Sequence, residues 1–109
     1  MRIIFTSKKM RNACSSEKEM IKAFGKDCAK KLMQRLMELD AAPTMDQIPR
    51  HARCHPLISD LKGSYAVDLV QPYRLIFKPC IGDPPLKSGG GLDLSSVDTI
   101  EIIRVIDYH

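Results

Sequence analysis

The chain has 109 residues, a hydrophobic fraction of 44%, a charged fraction of 28% and a formal net charge of +4. That length fits one domain with a modest core, here expected over residues 1–109, and the composition argues against global disorder. No apolar run approaches the roughly 20 residues needed to span a bilayer, and the opening stretch Ile3-Ile4-Phe5 is too short for a secretory leader, so a cytoplasmic protein with no membrane association is expected. The positive charge is concentrated at the front: residues 1–40 hold ten Lys/Arg against five Asp/Glu, whereas residues 81–109 hold two against five. A basic first half is the footprint of a polyanionic partner, and equally of a solvated helix face.

In chain order, Arg2-Ile3-Ile4-Phe5 reads as a first strand, β-branched and aromatic. Ser16-Glu17-Lys18-Glu19 has the capping-box pattern, and the helix it opens should carry Met20, Ile21 and Phe24 inward until Gly25 stops it. Lys8 to Cys14 forms a helical turn of its own or extends that helix. The next helix is the clearest element, with Ala29, Leu32, Met33, Leu36 and Leu39 on one stripe and Lys30, Lys31, Gln34 and Arg35 opposite. Met33 and Met37 read as core filler. The expected product is a helical hairpin, apolar inside and basic outside.

A connection follows from Ala41 to Pro49, with a helical turn expected at Met45-Asp46-Gln47. Cys54-His55-Pro56-Leu57 predicts a short strand whose proline confines it to an edge or a strand start. Ser64 to Leu69 and Tyr73 to Lys78 flank a turn at Val70-Gln71-Pro72, and alternation puts Arg74, Ile76 and Lys78 on one face with Leu75 and Phe77 on the other. Residues 79–96, rich in Pro, Gly and Asp, read as a long flexible insertion. Its Lys87-Ser88 precedes Gly89-Gly90-Gly91 instead of following it, which excludes a phosphate-binding P-loop. The last strand, Thr99 to Tyr108, is apolar on both faces and should lie inside the sheet. These elements give an α+β fold, β-α-α-β-β-β-β, with an α-helical hairpin packed on a mainly antiparallel sheet of four to five strands.

Cys14, Cys28, Cys54 and Cys80 contain no C-x-x-C pair and read as reduced thiols. His51, Cys54 and His55 lack the second paired motif of a zinc site, and no metal or other cofactor is expected. The chemistry instead gathers at Asp107-Tyr108-His109, where a central strand leaves the sheet. Cutting RNA without metal takes one group to activate a 2′-hydroxyl, another to protonate the departing 5′-oxygen and a cation for the charge on phosphate. His109 and His55 have imidazoles suited to proton exchange near neutrality. Asp107 can act as a base or orient an imidazole, Arg74 can grip phosphate oxygens bidentately, and Tyr108 can stack on a base. Lys62, in the turn Leu61-Lys62-Gly63, is a candidate phosphate contact. Each also has a plain reading as a strand-end or surface residue, and spacing alone does not bring them together.

His55-Pro56-Leu57, Lys62-Gly63-Ser64-Tyr65, Tyr73-Arg74-Leu75-Ile76-Phe77 and the terminal Ile106-Asp107-Tyr108-His109 together resemble the HigB-type toxins of the RelE/ParE superfamily of bacterial toxin–antitoxin modules. The resemblance covers nearly the whole chain. It implies a ribosome-dependent mRNA endonuclease with His55, Arg74, Asp107, Tyr108 and His109 at the active-site positions. Lys30, Lys31 and Arg35 would face ribosomal RNA, and a HigA-like helix-turn-helix antitoxin would be the partner. Relatives commonly read L-K-G-x-R-K-G where this chain has Leu57-Ile58-Ser59-Asp60-Leu61-Lys62-Gly63, so two cations give way to Ile58 and Leu61. The loop between the last two strands is also longer than in the shortest relatives, and some homologues with such a loop are called killer suppression proteins. A non-catalytic partner-binding protein and a ParE-like gyrase inhibitor therefore stand as alternatives.

Overall fold

In the computed structural model, residues 1–80 and 92–107 are described. Arg2–Phe5 forms β1, and three helices follow: α1 (Lys8–Ala13), α2 (Glu17–Phe24) and α3 (Lys26–Ala41). Then come β2 (His55–Pro56), β3 (Tyr65–Asp68), β4 (Tyr73–Pro79) and β5 (Thr99–Asp107), with single 3-10 turns at Met45–Gln47, Arg50–Ala52, Ser59–Leu61 and Leu94–Ser96. The sheet order is β1-β5-β4-β3-β2. β1 runs parallel to β5, and every other neighbouring pair is antiparallel.

The helix boundaries follow from caps. The Ser16 hydroxyl accepts from the Glu19 N–H at 3.2 Å, as the capping pattern predicts, and Ser7 does the same for Met10 at 3.1 Å. The second cap makes Lys8–Ala13 a separate helix, so the hairpin is preceded by a short third member. Gly25 joins α2 to α3 with φ +84°, a conformation that a side chain would strain.

The main core lies between the helices and one sheet face. Met10, Met20, Ala29, Leu32 and Leu39 meet Val67, Leu75, Phe77, Ile100 and Ile102 there. On the opposite face a smaller apolar cluster, Leu57, Ala66 and Ile76, is flanked by Leu61, Ile103 and Ile106. β5 is apolar toward both faces because both clusters draw on it, which explains its interior place in the sheet. Two helix residues expected inside are exposed. Met37 is 72% accessible and Ile21 38%, since both sit off the stripe that meets the sheet. Arg35, expected on the basic outer surface, is instead buried at 5% accessibility. It falls three residues after Leu32 and four before Leu39, which puts it on the buried stripe.

The β4–β5 ladder contains one irregularity that matters for the site. Ile76 pairs with Arg104 and Phe77 with Ile102, leaving Ile103 as an extra residue in β5. Such a bulge re-phases the strand. Ile102 packs in the main core, Ile103 turns to the other face, and Val105 then returns to the core side with Ile106 opposite it. Among the described residues, no helix is long and apolar enough to cross a membrane.

Candidate functional site

The open sheet face, away from the helices, gathers the polar groups of interest. His55 pairs with Ala66 across the β2–β3 ladder, Asp68 with Arg74 across β3–β4, and Arg74 with Ile106 across β4–β5. Cross-strand partners share a face, so His55, Asp68 and Arg74 project together. An Arg74 Nη1 lies 3.4 Å from His55 Nε2. The residues are 19 positions apart in sequence, and the edge strand β2 brings them together.

The local chain orients this imidazole. Arg53 ends the Arg50–Ala52 turn with φ 56° and ψ 47°, the left-handed conformation that is costly for a residue with a Cβ. Its carbonyl thereby faces His55 Nδ1 at 2.7 Å. A carbonyl only accepts, so Nδ1 carries the proton in the neutral ring and Nε2, on the Arg74 side, presents the lone pair. A proton taken or given by this histidine therefore passes at Nε2.

Asp68 supplies the counter-charge. Arg74 Nε stands 3.4 Å from its Oδ1, and Arg53 Nε 3.4 Å from its Oδ2. Oδ1 is buried without a well-aligned hydrogen bond, so the nearby guanidinium is its electrostatic compensation. With Nε directed at the carboxylate, the fork of Arg74 is rotated so that an Nη group meets the imidazole. Two arginines beside one carboxylate leave this patch with an excess of positive charge, suited to holding phosphate oxygens.

The other expected site residues fall in different places. Asp107 pairs with Tyr73, and beyond the bulge it shares the strand face of Val105. Its neighbour Ile106 is the residue in register with Arg74. Tyr108 and His109 lie outside the described residues. Lys62 is exposed just after the Ser59–Leu61 turn. Lys30 is exposed on α3, and Lys31 Nζ donates to Gln34 at 3.3 Å.

Arg35 is turned inward, away from the surface expected to meet RNA. Its Nε donates to the Asp68 carbonyl at 2.6 Å and its Nη1 to Glu38 Oε1 at 2.9 Å. The other oxygen of Glu38 contacts His51 Nε2 and accepts from Gln34 Nε2. Burial alone would raise the Glu38 carboxyl, but hydrogen bonds from His51, Gln34 and Arg35, with the charge of Arg35, outweigh it and hold the pKa down at about 2. Arg53, Asp68 and this brace were missed by sequence reasoning. The available signal was Asp68, a carboxylate on a short strand directly before a hairpin turn.

His51, Cys54 and His55 do not converge, because His51 is turned to Glu38 and His55 to Arg53. Among the described residues no three His, Cys, Asp or Glu side chains form a metal-ligating group. Burial raises the Cys14 and Cys54 thiols to about 11, so neither is a ready nucleophile.

No family model matches the sequence, and no curated protein matches it. In fold, the chain is similar to a YoeB/ParE toxin from Agrobacterium tumefaciens, with 13% identity, a TM-score of 0.59 and the whole of both chains covered. It is likewise similar to a structure of a YoeB-YefM complex from Staphylococcus aureus, with 17% identity, a TM-score of 0.55 and 100% of this chain against 97% of that one covered. The architecture built above, helices on one side of a five-stranded sheet and a cationic histidine–arginine pair on the other, is thus carried on the fold of YoeB/ParE-type toxins.

Proposed function

We propose that this chain is the toxin of a toxin–antitoxin pair, a single-domain cytoplasmic endoribonuclease of HigB type that cuts mRNA on the ribosome. The observation that carries the proposal is the approach of Arg74 to His55 Nε2 on the open sheet face. Support also comes from the fold shared with YoeB/ParE toxins and from the basic first half of the chain. The reaction is a transphosphorylation. One imidazole takes the proton of the 2′-hydroxyl, the 2′-oxygen bonds to phosphorus, and the P–O5′ bond breaks as a second group protonates the leaving oxygen. The products are a 2′,3′-cyclic phosphate, or its hydrolysed form, and a 5′-hydroxyl.

Arg74 holds the non-bridging oxygens as their charge grows. His55 is one proton-transfer group, and Tyr108 and His109 are proposed to complete the centre. Lys30 and Lys62, both exposed, and the half-buried Lys31 contribute positive charge toward ribosomal RNA. A helix-turn-helix antitoxin of HigA type is the proposed partner; the YoeB-YefM complex is a precedent for a two-component assembly on this fold.

A second reading has its own observation. Ile58 is 77% exposed at a position where the resembled family commonly has lysine, and such a side chain suits a non-catalytic binding surface. Induced expression separates the two. Mapping the 5′ ends of ribosome-bound messages should reveal cuts inside reading frames. His55→Ala and Arg74→Ala should each reduce them by roughly ten- to a thousandfold. Undiminished cutting by His55→Ala would refute the role given to the imidazole, and absence of cutting by the parent would favour the binding protein.

A further inference from the structure

Arg35 and Ser64 are the buried polar or charged side chains among the described residues, and Arg35 alone carries a charge. A guanidinium out of water is costly unless its donors are met, so its partners indicate what it is there to hold. One is Glu38, a turn along the same helix, which neutralises it. The other is the main-chain carbonyl of Asp68, 33 residues away in sequence. β2 pairs only with Tyr65 and Ala66, so the outer edge of β3 lies open beyond it. Arg35 occupies that edge at Asp68, where a neighbouring strand would otherwise supply the donor.

Asp68 is also the residue that orients Arg74. Its carboxylate takes Arg74 Nε on one oxygen and Arg53 Nε on the other, while Arg74 Nη1 reaches His55 Nε2. We infer that Arg35 is a positioning residue for the Arg74–His55 pair, acting through Asp68, with Glu38 holding Arg35 in place. The inference rests on that pair being the phosphate-handling centre proposed above. The linkage is geometric. Arg35 fixes where the Asp68 backbone ends its strand, the carboxylate fixes the rotation of the guanidinium, and the guanidinium fork then faces the imidazole. Ordinary helix packing would place an aliphatic side chain at position 35; a planar donor is needed only to reach that carbonyl.

The test uses the full chain and variants Arg35→Lys, Arg35→Met, Glu38→Gln and Asp68→Asn, held well below their unfolding temperatures. The readings are the NMR signals of Arg74 Nε–H and the His55 ring, and affinity for inorganic phosphate. Arg35→Met should displace both signals as Asp68→Asn does and weaken phosphate binding by about tenfold, while amide signals in β1 and α2 stay in place. Arg35→Lys, which restores one donor without the planar fork, should recover part of both readings. A folded Arg35→Met with parental Arg74 and His55 signals and parental phosphate affinity would overturn the inference. Should Arg35→Met fail to fold, Glu38→Gln decides, since it keeps Arg35 but removes its charged partner: displaced signals uphold the brace and parental ones refute it. Signals that move in a protein that neither binds phosphate nor cuts mRNA would uphold the brace and sink the nuclease reading instead.

Discussion

Glu38→Gln should change the dependence of stability on pH in a calculable way. The Glu38 carboxyl has an ordinary pKa of 4.5 and is held at about 2 in the fold. At about 1.4 kcal/mol per pH unit, that gap corresponds to about 3 kcal/mol as a ceiling. The ceiling is not reached, because the His51 side chain is 61% exposed and its share is screened by water. A contribution of about 1–2 kcal/mol is expected once that partner is discounted. The folded pKa is depressed, so this stability is fully present above pH 4.5 and lost as pH falls toward about 2. Urea unfolding followed by circular dichroism, repeated between pH 7 and pH 2, gives the difference between parent and Glu38→Gln. That difference should hold steady above pH 5 and shrink toward zero near pH 2. A difference that stays constant down to pH 2 would show that the Arg35–Glu38–His51 network does not stabilise the charged carboxylate.

Two further outcomes test the fold that carries the site. Phe77 is fully buried and its ring stacks on Tyr65 at 6.3 Å between centroids; Phe77→Ala should cost about 3–5 kcal/mol in chemical denaturation, and a loss below about 1 kcal/mol would contradict the packing described. Ser16→Ala removes the acceptor at the start of α2 and should cost about 1 kcal/mol, whereas Ser16→Asp should leave stability close to the parent.

Much of the fold was legible in the sequence because its signals are local. The stripe of Ala29, Leu32 and Leu39 marks α3, the serine cap and Gly25 bound α2, and the two-sided apolar run from Ile100 predicts an interior strand, where β5 lies between β1 and β4. Pro56 likewise pointed to an edge or a strand start, and β2 lies at the edge. The errors are also local ones. Helical periodicity ranked Arg35 by its charge and Met37 by its apolarity, and the structure buries the first and exposes the second. Side-chain character is a poor guide where a distant main-chain carbonyl is waiting for a donor.

The sequence by itself determined which segments become helices and strands and that position 55 offers an imidazole and position 74 a guanidinium. Only the tertiary structure decided that they meet, because a contact across 19 residues depends on strand order and register. It also decided the register at the end of β5: the extra residue at Ile103 shifts the alternation downstream, so that Ile106 pairs with Arg74 and Asp107 with Tyr73. The sequence does not fix that phase, because the pairs Ile102-Ile103 and Val105-Ile106 offer an apolar side chain to both faces in either register. The phase is set by how β4 pairs with β5, which is why the make-up of the site had to be read from the fold.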